Sequence, residues 1–379
     1  MKHLATQSPP LLNTWSVRMV ESTLQRYTLN QARWHYEHGL LVMAIQRTAE
    51  AIDEVRYKRF VSNWVDRFVT ANGSIRTYRI DDYNLDHINA GRLLFEAYGR
   101  TGDERYRKAL DLLREQLRTQ PRTHSKGFWH KKIYPYQMWL DGIYMAEPFL
   151  AEYARRFDEP ATFEEVAHQI LLIEEHTRDD KTGLLYHAWD ESKTQLWADP
   201  ATGRSPHFWG RAMGWYVMAI IDVLDYFPNN ESHRDELVAS LNRVAVALVK
   251  VQDETSGLWY QIVNLPDRAG NYLEASATAM FVYAFAKGVR KGYLKQDYLL
   301  SARRGYHGLL QNLIKVDSQG LLTLEGTCGG AGLGGEPYRD GSFEYYVSEK
   351  VIPNDPKGVG PFILAALELE SAGIHVEAG

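Results

Sequence analysis

The sequence is poor in cysteine and has no long apolar run. Cys328 is the only cysteine among 379 residues, which excludes an internal disulfide framework and a zinc site made from cysteine pairs. The best apolar run, from Met213 to Leu224, is interrupted by Asp222 and falls short of the ~18 residues that a membrane-spanning helix needs. The first residues also lack the apolar segment of a secretory signal. We therefore expect a cytoplasmic protein with no membrane partner.

An excess of basic charge is absent as well. The chain has 43 Lys and Arg against 48 Asp and Glu, for a formal net charge of -5. A general nucleic-acid binder needs a basic stripe that displaces counterions from phosphates. No such stripe is present in the sequence, so we expect no nucleic-acid partner.

Common cofactor and metal motifs are missing too. The stretch Gly330 to Gly335 formally matches GxGxxG, but Glu336 and Pro337 follow it where a dinucleotide site needs a helix. His35 and His38 have helical spacing without an HExxH pattern or a cysteine pair. There is also no GxSxG elbow for a serine nucleophile. The sequence predicts no metal and no cofactor, and a tight glycine-rich loop at residues 330–335.

Aromatic side chains, by contrast, are abundant. The 10 Trp, 23 Tyr and 13 Phe make up 12% of the chain. A core can be built from Leu, Ile and Val alone, so the excess indicates a surface that stacks on a planar or ring-shaped ligand.

Apolar residues recur at helical spacing in many segments, with few runs of alternating period. Twelve helices are predicted, over 14–28, 37–51, 55–70, 84–99, 103–119, 138–156, 161–176, 211–227, 232–252, 273–289, 296–315 and 358–371. The links between them alternate between short turns and long loops. This alternation is typical of antiparallel helical hairpins with all long loops on one face.

Six hairpins can stack as an open solenoid or close into a ring, and chain length leaves both possible. Closure is favoured because helices after the long loops, such as 214–221 and 275–286, are apolar on nearly every face. A helix before a long loop, such as 103–119, carries a charged face. We predict an all-α fold, a six-hairpin (α/α)6 barrel with short β segments in the long loops at one face. Residues 1–379 are predicted to form a single domain, with 1–13 as a flexible N-terminal segment.

Five long loops share a polar turn, a glycine and then an apolar or aromatic pair. The glycines are Gly73, Gly127, Gly183, Gly257 and Gly320, separated by 54, 56, 74 and 63 residues. This spacing indicates a degenerate repeat of about one hairpin. We expect each glycine to end the preceding helix in a left-handed conformation, before a short strand.

Two aspartates are predicted near the first turn of an inner helix, Asp86 and Asp141. An aspartate there commonly caps the helix or complements its dipole. Asp141 differs because Trp139 and three tyrosines lie within seven residues of it. An apolar enclosure and a second carboxylate raise the pKa of a carboxyl group, while a helix N-terminus lowers it, so the net shift stays open. A carboxyl group kept neutral would serve as a proton donor.

A second cluster alternates tryptophan with histidine and arginine and contains His187, His207, Trp209, Arg211 and Trp215. Indole faces pack on sugar rings, and arginine binds a carboxylate through two hydrogen bonds. This composition predicts a carbohydrate site. The alternative is that Trp215 is a core residue and His207 a surface residue.

Several strings in the chain are characteristic of one family. They are WHYEHGL from Trp34, YNLDHI from Tyr83, YPYQMWLDGIYMA from Tyr134, FWGRAMGW from Phe208 and YRDGSFEYY from Tyr338. In collinear order they resemble the unsaturated rhamnogalacturonyl hydrolases, glycoside hydrolase family 105.

The resemblance implies a six-hairpin barrel enzyme that acts on pectin fragments already cut by a lyase. Such fragments carry a Δ4,5-unsaturated uronic acid, usually linked to rhamnose, which the family releases by hydrating the enol ether. Asp141 would protonate C4, water would add at C5, and the hemiketal would open and expel the remaining chain. This chemistry needs one placed acid and one positioned water, without the carboxylate nucleophile of a retaining glycosidase.

The resemblance also implies roles for individual residues. Asp86 would contact the sugar and tune Asp141 or orient the water. The other expected substrate-binding residues are Tyr36, His130, Lys131, Trp139, His187, Trp209, Arg211 and Trp215. The adjacent His35 could fill the role given to Tyr36, and the adjacent Lys132 could fill the role given to Lys131.

Two rival functions stay open on the sequence. An unsaturated glucuronyl hydrolase for glycosaminoglycan fragments could share the fold, the acid and the chemistry. A helical solenoid that binds a peptide or sugar without catalysis is the rival outside the enzymes. The expected partner is an unsaturated uronyl oligosaccharide, and a monomer and a homodimer are both compatible with the sequence.

Overall fold

A computed structural model of the protein describes residues 14–374. Within this range the helices are α1 (Trp15–Arg26), α2 (Tyr36–Ile52), α3 (Val55–Phe68), α4 (Arg92–Thr101), α5 (Glu104–Thr119), α6 (Leu140–Arg156), α7 (Thr162–Thr177), α8 (Gly210–Val223), α9 (Arg234–Lys250), α10 (Ala275–Arg290), α11 (Tyr298–Asn312), α12 (Phe343–Ser348) and α13 (Pro356–Ser371). The strands are β1 (Gln137–Trp139), β2 (Ala188–Asp190), β3 (Ile314–Val316), β4 (Leu322–Leu324), β5 (Thr327–Cys328) and β6 (Val351–Ile352). They form three antiparallel pairs, β1 with β2, β3 with β4 and β5 with β6. The predicted flexible segment 1–13 lies outside the described residues.

Six helices form an inner ring and six pack outside it. The inner helices, in ring order, are α2, α4, α6, α8, α10 and α13, and α13 packs on both α10 and α2. The ring is therefore closed, as predicted, and is not an open solenoid. Every residue of α8 is buried, which explains why an inner helix reads as apolar on all faces. Among residues 14–374 no helix is long and apolar enough to cross a membrane.

The long loops all enter the inner helices from one end of the ring. Each outer helix is followed by a long connection and then by an inner helix, while the return from inner to outer helix is short. The predicted alternation is thus confirmed, and it places the N-termini of the inner helices at a common mouth.

The segment predicted as a helix over 84–99 folds differently. It begins with two 3-10 turns, Leu85–His87 and Asn89–Gly91, and only then continues as α4. The Asn84 side chain accepts a hydrogen bond from the Asp86 amide at 3.0 Å, a local bond that competes with the α-helical pattern. The short helix α12 was not predicted, because six residues carry too little periodicity to detect.

The repeated glycines do not end their helices. Helix α3 ends at Phe68 and its C-cap Val69 is extended, whereas Gly73 lies in the following turn with φ +86°. That turn returns the chain so that Val69 bridges Ile75. In the second loop Lys126 takes the positive φ of 72°, and Gly127 is small because an added Cβ would lie 2.0 Å from the Met138 sulfur. The repeat marks a tight turn beyond each helix end, which corrects the predicted capping role.

Candidate active site

Backbone pairing between two long loops brings the predicted acid to its histidine. Strands β1 and β2 pair so that Trp139 lies opposite Ala188. Helix α6 begins directly after β1, and the Leu140 amide donates to the His187 carbonyl at 3.1 Å. Asp141 therefore lies in the first turn of α6 beside the His187 ring.

Asp141 is buried at this mouth, with its side chain 13% exposed. Its Oδ2 lies 3.1 Å from His187 Nε2, but the ring N–H is not aligned with the oxygen. Neither atom has a hydrogen-bond partner in the described part of the chain. Tyr346 completes the group, because its hydroxyl lies 2.8 Å from His187 Nδ1.

Asp86 has a different environment because it is paired with a lysine. Lys131 Nζ lies 2.6 Å from Asp86 Oδ2, and His130 and His35 lie 3.6 and 3.7 Å from its oxygens. Burial alone would raise the pKa of Asp86, but the Lys131 ammonium and the two imidazoles hold it well below its usual range. Asp86 is therefore a carboxylate at neutral pH. Burial conversely lowers the pKa of His130 to about 4, which keeps its ring neutral.

The structure places Lys131, and not Lys132, at the site. Lys132 is exposed, and its Nζ lies 3.4 Å from the carbonyl of Asp81. His35 and Tyr36 both remain at the site, because His35 faces Asp86 while Tyr36 begins α2 beside Trp215. Burial, followed by the charges of neighbouring carboxylates that include Asp86 and Asp141, raises the pKa of Tyr36 well above 10.

Aromatic rings stack beside Asp86. Trp139 packs nearly parallel to His130 at 4.7 Å between ring centroids, and Tyr134 packs on Trp139 at 4.9 Å. Arg339 fastens the outer end of the stack by donating to the Tyr134 hydroxyl at 2.8 Å. The stack forms one wall of the mouth.

The glycine-rich stretch folds around the Arg339 guanidinium. Arg339 donates to the carbonyls of Gly334 and Leu333, and a Cβ on Gly332 would lie 2.2 Å from its Nη1. No helix follows Gly335 until α12 begins at Phe343, and the backbones of Gly334 and Arg339 pair with each other, so residues 330–335 form the predicted tight loop. Within residues 14–374 no group of three or more His, Cys, Asp or Glu side chains is arranged to hold a metal ion.

Arg211 is buried in the first turn of α8. Its Nη1 donates to the carbonyl of Cys328 and to Ser276 Oγ, and lies 3.9 Å from Glu274 Oε1. Its Nε is also buried and has no hydrogen-bond partner among the described residues. Nη1 is therefore engaged by the protein, while Nε has no partner within the described range.

The two predicted pocket tryptophans are almost wholly buried. Trp209 donates from Nε1 to Gln261 Oε1 at 3.0 Å and packs on the His187 ring. Trp215 is 0% exposed and packs between Tyr36 and Tyr144, and its Nε1 has no partner within residues 14–374. Both rings pack on residues of the site, Trp209 on His187 and Trp215 on Tyr36. Their contact with a sugar stays a prediction.

Tyr346 and Glu274 were not predicted as site residues. Glu274 is the N-cap of α10 and accepts from the Ala277 amide, the Cys328 amide and Ser276. Tyr346 lies in the string from Tyr338, which carries the family resemblance without pointing to a role. Each contacts a predicted site residue that is more than 60 positions away in the sequence, so no local pattern points to it.

Comparison with known proteins identifies the family. A family model described as Glycosyl Hydrolase Family 88 matches residues 15–372. A solved structure of a family 105 glycoside hydrolase from C. acetobutylicum ATCC 824 superposes with a TM-score of 0.92 at 46% identity, covering 95% of this chain and 100% of that one.

Two relatives align with more than half of the chain. Protein Atu3128 from Agrobacterium fabrum is 38% identical over 59% of this chain and 97% of its own length. The unsaturated rhamnogalacturonyl hydrolase YesR from Bacillus subtilis is 28% identical over 69% of this chain and 72% of its own length. The chain therefore belongs to Glycosyl Hydrolase Family 88 as that model defines it, and is a glycoside hydrolase related to the family 105 enzymes.

Proposed function

We propose that this enzyme releases a Δ4,5-unsaturated galacturonic acid from the non-reducing end of rhamnogalacturonan fragments cut by a lyase. The observation that carries the proposal is the contrast between two buried carboxyl groups at one mouth. Asp86 is held ionised by Lys131 at 2.6 Å, whereas Asp141 Oδ2 faces only a histidine ring with which it is not aligned. Two carboxyl groups in unlike environments can divide the roles of charge stabiliser and proton donor.

The reaction is a hydration of the enol ether. The Asp141 carboxyl group gives its proton to C4, and the electron pair of the double bond forms the new C–H bond. The positive charge at C5 is shared with the ring oxygen. Water adds at C5 and loses a proton to the Asp141 carboxylate, which restores the acid. The resulting hemiketal opens, and the hemiacetal left at C1 expels the remaining sugar chain.

The surrounding groups fit a uronate ring. The Arg211 guanidinium, whose Nε has no partner among the described residues, can bind the substrate carboxylate, and the Asp86 carboxylate can accept from a hydroxyl group or orient the water. The stack of Tyr134, Trp139 and His130 offers a wall for the sugar ring.

A neutral second sugar is favoured over a sulfated one. Lys131 is engaged by Asp86, and Arg339 by its loop and Tyr134. Arg211, partly held by Cys328 and Glu274, is assigned to the uronate carboxylate. Lys132 is directed to the Asp81 carbonyl. A sulfate would need one of these cations to leave its partner, so rhamnose fits better than a sulfated amino sugar.

The test follows the loss of absorbance at about 235 nm from the conjugated double bond. We expect turnover of unsaturated rhamnogalacturonan disaccharide and little turnover of unsaturated chondroitin or heparin disaccharides. Turnover of only the latter would show a glucuronyl hydrolase instead, and no turnover of either would overturn the proposal.

The same assay tests the acid. Asp141→Asn keeps the shape of the side chain but has no acidic proton, so we expect kcat to fall by about 10³-fold with binding nearly unchanged. Binding is measured by calorimetry on the inactive variant. Retention of more than about a tenth of wild-type kcat would exclude Asp141 as the sole acid.

A further inference from the structure

Tyr346 is fixed beside His187 by contacts on both its backbone and its ring. Its carbonyl accepts from Gln261 Nε2 at 3.1 Å, and Gln261 Oε1 in turn accepts from Trp209 Nε1. The Tyr346 ring packs on Trp209 with 6.0 Å between centroids and is fully buried. The phenol therefore has little freedom to choose another partner.

The surroundings of the Tyr346 hydroxyl indicate which atom is the donor in its bond with His187. The Tyr346 hydroxyl makes no hydrogen bond within residues 14–374 other than the one to His187 Nδ1. If Nδ1 carried the ring hydrogen, the buried phenol O–H would have no acceptor. If the phenol donates to Nδ1, its donor is satisfied, and the remaining donor, the Nε2–H, faces Asp141 Oδ2 with 3.1 Å between the heavy atoms, although it is not aligned with that oxygen. A buried donor with no acceptor nearby is costlier than one that faces a carboxyl oxygen out of line, so the geometry favours donation by the phenol.

We propose that Tyr346 is a positioning residue that holds the His187 ring with its hydrogen on Nε2, facing Asp141 and the bound sugar. This inference rests on the proposed function. His187 Nε2 lies 3.1 Å from Asp141 Oδ2, and its N–H is not aligned with that oxygen. The N–H can therefore donate to the negative charge that develops on Asp141. When Asp141 gives up its proton, this donor stabilises the new carboxylate. With the hydrogen on Nδ1, a lone pair would face that carboxylate instead.

The first test is the ring tautomer, read by nitrogen NMR of protein labelled with ¹⁵N-histidine and without substrate. The His187 signals are identified by their loss in His187→Gln. We expect a pyridine-like Nδ1 and a pyrrole-like Nε2 in the wild type. In Tyr346→Phe the Nδ1 signal should move, because its donor is gone. A hydrogen on Nδ1 in the wild type, or an unchanged Nδ1 signal in Tyr346→Phe, would overturn the proposal.

The second test separates positioning from a purely structural role. We expect Tyr346→Phe to lower kcat by about 10- to 100-fold while KM changes less than about twofold. The matched control is Tyr345→Phe, since the Tyr345 hydroxyl accepts from the Gly332 amide and does not contact His187. Equal losses in both variants, or a loss confined to KM, would contradict the assignment. If the wild type turns over none of the sugars, the proposed function fails while the NMR result still decides the tautomer.

Discussion

Among the neighbours that keep Asp86 ionised, Lys131 has the largest effect. Burial works against the charge of Asp86, and the ammonium at 2.6 Å reverses that effect. The charge of Asp86 likewise raises the pKa of Lys131 against its own burial. The pair is thus mutually dependent, as expected where two charges are removed from water together.

Replacing Lys131 should make the enzyme lose activity at acid pH. In Lys131→Met the burial of Asp86 is no longer compensated by the ammonium, so its pKa rises. In the wild type the depressed pKa keeps Asp86 ionised throughout the assay range, and only the variant should lose activity as the pH falls towards the raised value. We expect the acidic limb of kcat/KM to move up by at least about one pH unit, measured between pH ~4 and ~8.

The control for this change is the adjacent lysine. Lys132→Met removes the same charge one residue away, from a side chain that is exposed and directed to the Asp81 carbonyl. Its pH profile should match the wild type. Identical profiles for both variants and the wild type would show that Lys131 does not govern the ionisation of Asp86.

At the scale of elements, a proline in α6 ties the two carboxyl-bearing segments together. Pro148 lies inside the helix and has no N–H to offer the Tyr144 carbonyl one turn earlier. Asn89, in the 3-10 turn after Asp86, fills that place by donating from Nδ2 at 2.9 Å. The bond therefore satisfies a carbonyl that the proline leaves unpaired, and it joins the turn after Asp86 to α6.

A double-mutant cycle tests this dependence. Asn89→Ala leaves a buried carbonyl unpaired and should cost about 1–3 kcal/mol of unfolding free energy. With Pro148→Ala the helix can supply its own N–H to Tyr144, so Asn89→Ala should cost less in that background. Urea denaturation of the four proteins measures the coupling. Additive costs in the two backgrounds would refute the compensation.

These contacts also show where prediction from sequence stops. The helical period and the loop alternation predict the ring and its mouth, because both are local patterns. The choice of Lys131 over Lys132 depends on the bridge between Asn84 and Lys131, and the bond from Tyr346 to His187 spans 159 residues. Neither the position of Lys131 nor the bond from Tyr346 leaves a local pattern in the sequence. The family resemblance therefore suggested Lys131 alone and gave no role to Tyr346.

At the scale of the whole molecule, charged side chains cross the interior of the ring away from the mouth. Asp222 on α8 accepts from Arg92 of α4 at 3.0 Å and from Lys287 of α10 at 2.7 Å, and Tyr283 donates to it at 2.6 Å. All three charged side chains are at most 6% exposed. One carboxylate therefore links three inner helices, of which α4 is not a neighbour of the other two in the ring.

Removing this carboxylate should weaken the closed ring. Burial would raise the pKa of Asp222, but Lys287 and Arg92 hold it well below its usual range, so its stabilisation is full above the unfolded pKa of about 3.9 and declines as the pH falls below it. Asp222→Asn leaves Arg92 without its carboxylate and should cost about 3–5 kcal/mol at neutral pH, and less in acid. The control Asp225→Asn removes a partner of Lys287 whose side chain is 26% exposed and should cost about 1 kcal/mol. Denaturant unfolding at pH ~7 and ~3.5 compares the two, and a loss for Asp222→Asn no greater than that of the control would mean that apolar packing alone closes the ring.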